Sequence, residues 1–405
     1  PVPAFTCAEC GAPQLTPASI AHVAERLRAE GVEAWYTRPA GELLPAETTC
    51  PACGGTAFRP GDEVFDVWFA TACSPAVSAG PAHFVLESHD HLRGWLQGAL
   101  LAAVAAGQPA PFQAARLHGL VLDRLARTEE RGEVLAPDAA DLIARYGADV
   151  LRWWAASVDA RAEVALSDAA LDTAARQYRR VRRVLHRALD AVRDEPAAAS
   201  RRPVDRWLQD RLSRLIERVT AAYEAGAFHR GLQAIRAFCA RDLSAVYLTA
   251  ADAPSAPAVL RQTVEALARL LAPTASFLAD ELWARLPGDA RPLSAQLADW
   301  PDPPAAWRDD ALAAQWMVAL GACRRIRRAV RPVKKSLLST RKIVIYAAGE
   351  IRQALESTED ALASLIGAGA VECAPRDAAS GSTLLPDADL TLRIADASPI
   401  RPGVE

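Results

Sequence analysis

Four of the eight cysteines form two Cys-x-x-Cys pairs, Cys7 with Cys10 and Cys50 with Cys53, and glycine follows each pair. Two such pairs can present four thiolates to a Zn²⁺ ion in a tetrahedron, with Zn–S bonds of about 2.3 Å. Disulfides are the alternative, but in a chain of this size metal binding is favoured because the short spacing occurs twice. The sequence predicts a closed, structural zinc site.

A second group of residues combines two tryptophans with polar side chains: Trp68, Glu87, Asp90, His91 and Trp95. Two rigid indoles can form the walls of an apolar slot that discriminates side chains by shape, worth about 1–3 kcal/mol per methylene. The plainer interpretation is two core aromatics beside a solvated acidic loop. The residues alone leave both open.

Arginines cluster at 176–187 and again at 324–342. Arg179, Arg180 and Arg183, with Arg176 and Arg187, recur at helical spacing and predict one basic face. A guanidinium is planar and permanently charged, so such a face suits phosphate groups. A solvated helix face is the usual alternative. The arginines alone do not decide between these two interpretations.

Composition sets the class of protein. The 405 residues suffice for two to four domains, and 51% apolar with 23% charged residues is ordinary for a globular protein. No run of about 18 uncharged apolar residues occurs, and no signal peptide is evident, so a cytoplasmic protein without a membrane partner is expected. The net charge of −3 does not by itself indicate a nucleic-acid partner.

Hydrophobic periodicity predicts the elements that position these residues, in a fold of the α/β plus all-α class. Between the cysteine pairs a helix is expected near 17–30. Short apolar runs at 84–87 and 117–122 alternate with helical periods, which is typical of a parallel α/β sheet. From 166 to 290 the apolar spacing is helical. We predict four domains: 1–60 with the cysteines, 61–165 α/β, 166–300 helical, and 301–405 a small α/β segment.

Several motifs resemble the isoleucyl-tRNA synthetases, a family of class Ia aminoacyl-tRNA synthetases. Asp66-Val67-Trp68-Phe69 is similar to the start of the family's Asp-Val-Trp-Phe-Asp-Ser-Gly, and 86–95, Leu-Glu-Ser-His-Asp-His-Leu-Arg-Gly-Trp, to Leu-Glu-Gly-Ser-Asp-Gln-x-Arg-Gly-Trp. His-Gly-Leu-Val-Leu-Asp at 118–123 and Tyr-Gly-Ala-Asp-Val-Leu-Arg at 146–152 follow in the family's order. The resemblance covers most of the chain.

The resemblance implies a fold and a set of roles. It implies the C-terminal half of a Rossmann-like catalytic domain with a zinc-ribbon insertion, followed by a helical-bundle anticodon-binding domain. Trp68 and Trp95 would flank the isoleucine side chain, and Glu87 and Asp90 would contact the amino group and ribose of the adenylate. His91 stands where the family has Gln. His118 and Gly119 would lie beside the adenosine, and Arg179, Arg180 and Arg183 would contact the tRNA backbone. ATP with Mg²⁺, isoleucine and tRNA(Ile) would be the ligands.

Two departures from the family pattern bear on activity. The Lys-Met-Ser-Lys-Ser loop corresponds to Arg127, Thr128, Glu129, Glu130 and Arg131, without either lysine. One glutamate about 5 Å from a triphosphate charge costs on the order of 3 kcal/mol at an effective dielectric of about 20, so ATP activation is expected to be impaired. The His-Ile-Gly-His motif is absent, so the N-terminal catalytic half is expected upstream or in trans.

Three hypotheses follow. The first is ATP-dependent ligation of isoleucine to tRNA(Ile), the family reaction. The second is a transferase that moves isoleucine from ready-made isoleucyl-tRNA to another acceptor, a reaction in which no pyrophosphate has to be clamped. The third is a tRNA-binding paralogue without catalysis. The tryptophan pair favours the first two over the third, but it does not identify a catalytic base, and valine in place of isoleucine remains open.

Overall fold

The structure of the chain is a computed structural model. It describes residues 1–77, 80–123, 139–192, 202–250, 257–288, 291–332, 338–339, 341–379 and 389–395. The chain divides into two compact units, an N-terminal unit of Pro1–His118 and a C-terminal unit of Gly119–Glu405.

The N-terminal unit begins with a small antiparallel sheet that carries the cysteines. Its strands are β1 (Phe5–Cys7), β2 (Pro13–Gln14) and β3 (Phe58–Pro60), in the order β2-β1-β3. Three helices lie between β2 and β3: α1 (Pro17–Glu30), α2 (Ala34–Thr37) and α3 (Ala40–Leu43). Buried Phe5, Trp35 and Leu43 form their common core.

The helix predicted near 17–30 is confirmed, and its ends have a local cause. The Thr16 hydroxyl accepts a hydrogen bond from the Ser19 amide at 3.1 Å, which caps the first turn of α1. Gly31, with φ 85°, ends the helix because its backbone takes a positive φ that most residues avoid. Both signals are readable in the sequence.

The remainder of the N-terminal unit is α/β, as predicted. It contains α4 (Val67–Ala72), β4 (Val85–Ser88), α5 (Trp95–Ala105) and β5 (Ala115–His118). β4 and β5 pair in parallel from Val85 opposite Ala115 to Ser88 opposite His118. The apolar run at 84–87 was expected to be a buried strand; it forms most of β4, but Leu86 is 57% exposed.

The prediction of one strand over 117–122 is wrong. β5 ends at His118, and a separate strand, β6 (Val121–Asp123), pairs in parallel with β7 (Val164–Leu166). The break falls at Gly119, whose amide donates to the Ala160 carbonyl at 2.8 Å. A Cβ at Gly119 would lie 2.4 Å from the backbone of Ala162, so the chain changes strand partner at a position where only glycine fits.

Beyond β6, the described part of the C-terminal unit is mostly helical as far as residue 329, as the periodicity predicts. The helices are α6 (Ala139–Tyr146), α7 (Ala148–Ser157), α8 (Asp168–Asp190), α9 (Pro203–Glu224), α10 (Phe228–Ala237), a π-helical continuation (Phe238–Tyr247), α11 (Leu248–Ala250), α12 (Pro257–Leu271), α13 (Ser276–Arg285) and α14 (Asp310–Ala329). Leu208, Leu212, Ile235 and Leu267 lie fully buried at the centre of one large apolar core.

One buried carboxylate ties three of these helices, α7, α8 and α13, together. Asp149 at the start of α7 is 5% exposed. It accepts hydrogen bonds from the amides of Phe277 and Leu278 at 3.2 and 2.7 Å, and from the Tyr178 hydroxyl at 3.2 Å. Because the residue before α13, Ala275, has no capping side chain, Asp149 supplies the cap for that helix.

The last described elements form a small α/β segment. Its elements are β8 (Lys342–Ala347), α15 (Gly349–Glu356), α16 (Glu359–Ile366), β9 (Ala370–Pro375) and β10 (Leu390–Ala395). The strand order is β10-β8-β9, with β9 parallel and β10 antiparallel to β8. In the described ranges no helix is long and apolar enough to cross a membrane.

Candidate functional site

The four cysteines predicted to bind zinc lie together. The sulfur atoms of Cys7, Cys10, Cys50 and Cys53 are all within 4.8 Å of one another, with Cys7 to Cys53 at 3.7 Å and Cys10 to Cys50 at 3.6 Å. A tetrahedron with Zn–S bonds of about 2.3 Å has edges of about 3.8 Å, so the set fits that ion. It can hold a metal closed off by four protein ligands.

Each cysteine pair folds into a turn closed by the backbone. The Gly11 amide donates to the Cys7 carbonyl at 3.0 Å, and the Gly54 amide to the Cys50 carbonyl at 2.8 Å. Both glycines have positive φ, 74° and 76°, which explains why glycine follows each pair. The two turns are therefore nearly equivalent halves of one site.

The thiols are crowded enough to perturb one another. Backbone amides of Ala52 and Cys53 lower the pKa of Cys50 to about 7. For Cys53, the Gly55 amide acts to lower the pKa, but the neighbouring Cys10 sulfur, burial and the other thiols outweigh it and raise the pKa to about 12. One thiol ionises readily and its neighbour does not, because adjacent thiolates repel unless a cation lies between them.

Trp68 and His91, predicted as substrate-binding residues, are brought into contact by different elements. Trp68 lies in the first turn of α4, which Asp66 caps by accepting from the Trp68 amide at 2.9 Å. The indole meets the His91 ring edge-on, with centroids 5.1 Å apart. A Cβ at Gly94 would lie 3.0 Å from the indole, so the chain after His91 passes close beside this ring.

Trp95 is at the start of α5 and lies partly buried. Its indole N–H donates to the Thr71 carbonyl at 3.1 Å, and its ring stacks on Phe112 at 6.3 Å. Trp95 therefore links α5 to the end of α4, while Trp68 contacts the ring of His91. Among the described aromatic rings, the two indoles form no ring contact with each other.

The polar candidates lie at the carboxyl end of β4. Glu87 is in the strand, and Asp90 and His91 are in the 3₁₀ turn His89–Leu92 that follows. The Nδ1 atom of His91 lies 2.8 Å from a carboxylate oxygen of Glu87. The neighbouring Ser88 side chain lowers the pKa of Asp90, so that side chain stays ionised near neutral pH.

The two adenosine candidates fall on either side of the boundary between the units. His118 ends β5 opposite Ser88 of β4, and its carbonyl lies 3.2 Å from the Nδ1 atom of His89. Gly119 begins the C-terminal unit. The positions predicted for the degenerate loop, Arg127, Thr128, Glu129, Glu130 and Arg131, lie outside the described residues.

The predicted basic face is present on α8. Arg179, Arg180 and Arg183 are exposed and line an open groove of about 840 Å³. Within the part of the chain that the structure describes, none of the three pairs with a carboxylate; Arg179 and Arg183 donate only to backbone carbonyls. Arg182, in contrast, is held by both oxygens of Glu281.

Sequence reasoning missed Arg236 of α10. It lines a second groove, of about 410 Å³, together with Arg176, Arg180 and Arg241. Burial, and then the nearby positive charge of Arg180, lower the pKa of Arg236. A single arginine in an amphipathic helix gives no sequence signal, because its significance depends on a neighbour 56 positions earlier.

Comparisons with known proteins agree with this arrangement. Residues 1–167 match the family described as tRNA synthetases class I (I, L, M and V). Residues 205–360 match the anticodon-binding domain of tRNA ligase. The parallel α/β segment is thus similar to the class I tRNA synthetases, and the helical domain after it to the anticodon-binding domain of tRNA ligases.

Within that class, the curated relatives are isoleucine–tRNA ligases. The Moorella thermoacetica protein is 38% identical over 78% of this chain and 37% of its own length. The Syntrophotalea carbinolica protein is 31% identical over 98% of this chain and 46% of its own length. The chain thus spans about two-fifths of the length of the relatives it matches. The resemblance to the isoleucyl-tRNA synthetases is confirmed.

A solved structure shares the fold. The Agrobacterium radiobacter LeuRS–tRNA–LeuAMS ternary complex aligns with a TM-score of 0.55 at 21% identity, over 77% of this chain and 41% of that one.

Proposed function

We propose that this chain is the isoleucine- and tRNA-binding portion of an isoleucyl-tRNA synthetase-like enzyme. The observation that carries the proposal is the convergence of Trp68, Glu87, Asp90 and His91 at the carboxyl end of β4. Ligand sites in parallel α/β folds lie at that end of the strands. The indole offers an apolar wall, and the acidic groups offer partners for an ammonium group and ribose hydroxyls.

Each binding role follows from a physical match. A slot bounded by Trp68 selects an aliphatic side chain by shape. The ionised Asp90 can pair with the α-ammonium group of isoleucine, and the exposed arginines of α8 can neutralise phosphates of tRNA(Ile). Zn²⁺ at the four cysteines would be structural, since all four ligands come from the protein and no open position remains for substrate.

The family reaction would be ATP-dependent ligation of isoleucine to tRNA(Ile), with Mg²⁺ on the triphosphate. The replacement of both loop lysines, with Glu129 and Glu130 among the substituted residues, argues that activation is weak. The rest of the catalytic domain would come from a preceding segment or from a separate chain. The alternative is transfer of isoleucine from finished isoleucyl-tRNA, which needs no pyrophosphate clamp.

Isoleucine-dependent exchange of pyrophosphate into ATP separates these reactions. The assay uses the full protein that carries this chain, with valine as the competing amino acid and Trp68→Ala as the pocket variant. Exchange that depends on isoleucine and is lost in the variant supports ligation. Absent exchange, with tRNA(Ile) and isoleucine still bound, moves the assignment to transfer. Absent binding of both ligands contradicts the proposal.

A further inference from the structure

The pairing of Glu87 with His91 has a chemical consequence that substrate binding does not require. An ionised carboxylate only accepts hydrogen bonds, so the 2.8 Å contact places the imidazole proton on Nδ1 of His91. The opposite ring nitrogen, Nε2, then carries a lone pair. Among the described residues no group forms a hydrogen bond with Nε2, so that nitrogen is available to accept a proton.

The ring is also held in place. The side chain of Glu87 is 29% exposed and that of His91 is 38% exposed, so both are partly shielded from solvent. The edge of the ring meets Trp68, the proposed wall of the isoleucine slot, at 5.1 Å between centroids. A carboxylate-oriented imidazole next to a binding slot is the usual arrangement of a general base.

We propose that His91, oriented by Glu87, acts as a general base that cleaves the aminoacyl ester of isoleucyl-tRNA with a small protic nucleophile, a primary amine or water. This inference rests on the proposed binding of isoleucine and tRNA. It deepens the transfer alternative named there, in which ATP takes no part, by assigning the proton acceptor that the sequence did not identify. The altered 127–131 loop is no obstacle to it, because no pyrophosphate leaves.

The step balances as an ordinary acyl transfer. The nucleophile attacks the ester carbonyl carbon of the isoleucyl group while His91 Nε2 removes its proton. The new C–N or C–O bond forms, and the C–O bond to the terminal ribose of the tRNA breaks. The proton then passes from Nε2 to the departing ribose oxygen. Glu87 keeps its hydrogen bond to Nδ1 and stabilises the imidazolium between the two transfers.

The test uses the full protein, isoleucyl-tRNA with labelled isoleucine, and hydroxylamine as the probe amine. Isoleucyl hydroxamate and free isoleucine are measured together under single-turnover conditions. We expect His91→Gln, which restores the residue type of the family, to slow ester cleavage by about 100-fold, and Glu87→Gln by about 10-fold. His83→Gln, an exposed imidazole just before β4, is the matched control and should stay within twofold.

A proton-transfer role and a merely structural role differ in one further readout. Free imidazole should restore part of the activity of His91→Ala, but it should not restore that of His91→Gln, where the glutamine side chain fills the site.

Binding of isoleucyl-tRNA is measured for every variant. Wild-type protein that fails to bind it contradicts the proposed function itself. Protein that binds it, but cleaves the ester no faster than His91→Gln does, overturns only the assignment of His91. Hydroxamate as the product indicates an amine acceptor, and free isoleucine indicates water; either supports the general base if it depends on His91.

Discussion

At the scale of single residues, the site is built from local signals that meet in space. The Cys-x-x-Cys spacing and the glycines after it could be read from the sequence, because each turn is formed by its own neighbours. The contact of Trp68 with His91 could not, since it depends on how α4 packs beside the turn after β4. The motif resemblance identified both residues, but not their contact or the bond to Glu87.

The metal centre gives the first prediction. Purified protein should contain one zinc ion per chain, and Cys50→Ser should lose it, because three thiolates and a water bind the ion less tightly than four thiolates. Metal analysis by mass spectrometry measures the zinc content. Cys73→Ser, a cysteine outside the cluster, serves as the control. Full zinc occupancy in Cys50→Ser would contradict the assignment.

Gly94→Ala tests the wall of the proposed pocket. The new methyl would lie 3.0 Å from the Trp68 ring, so the indole must shift by a few tenths of an ångström. We expect isoleucine to bind about 3- to 10-fold more weakly in calorimetric titration, while the fold is retained. Gly41→Ala, where a Cβ meets nothing within 4 Å, is the matched control. Unchanged affinity would place the pocket elsewhere.

At the scale of elements, the sequence predicts the ends of α1 more reliably than the ends of the strands. α1 follows its sequence signals, because its start and stop residues act within four positions. The apolar run 117–122 predicts one strand, because hydrophobic periodicity carries no information about which strands pair with each other. The structure divides it at Gly119, where the backbone of Ala162 approaches. Arg236 was missed for the same reason: its setting comes from another helix.

The arginines of α8 and α10 give a prediction about nucleic-acid binding. Arg180→Ala and Arg236→Ala should each weaken binding of tRNA(Ile) about 3- to 10-fold and reduce the salt dependence of the affinity by about one unit of log–log slope, if each contacts one phosphate. Filter binding across a salt series measures both effects. Arg352→Ala, whose side chain pairs with Glu356, is the control. Unchanged slopes would show that the groove lined by Arg180 and Arg236 takes no part in binding.

The buried cap of α13 gives a prediction about stability. Asp149→Ala removes the acceptor of three hydrogen bonds and leaves the amides of Phe277 and Leu278 without it, which should lower the free energy of unfolding by about 2–4 kcal/mol. Urea denaturation followed by helical circular dichroism measures the loss. Asp159→Ala removes an exposed ion pair with Arg161 and should cost less than about 0.5 kcal/mol.

At the scale of the whole molecule, the N-terminal unit exposes many apolar side chains. Val67, Leu86, Leu101 and Val104 are each at least 57% exposed. Apolar side chains exposed to this extent on α4, β4 and α5 indicate surface that packs against another part of a protein. We expect this surface to receive the rest of the catalytic domain, whether that part precedes the chain or is a separate polypeptide.

That expectation has a direct test. The 405-residue chain alone should bind the dye ANS strongly, and the same chain joined to, or co-purified with, the preceding part of its catalytic domain should bind much less. Fluorescence titration at equal protein concentration makes the comparison. A variant with Leu86→Lys and Leu101→Lys should lose the preceding part in pull-down. Equal dye binding in both forms would mean that the surface stays open.

The cap that Asp149 provides also bears on the order of folding. Asp149 lies 128 and 129 residues before Phe277 and Leu278, whose amides donate hydrogen bonds to its carboxylate. Contacts between distant positions form late, because a long loop must close before they stabilise anything. Asp149 therefore leaves the ribosome well before α13 is made, as a carboxylate still without those amide partners. The first turn of α13 should then order only when α7 is already folded, so this turn would be among the last parts of the unit to acquire protection against hydrogen exchange.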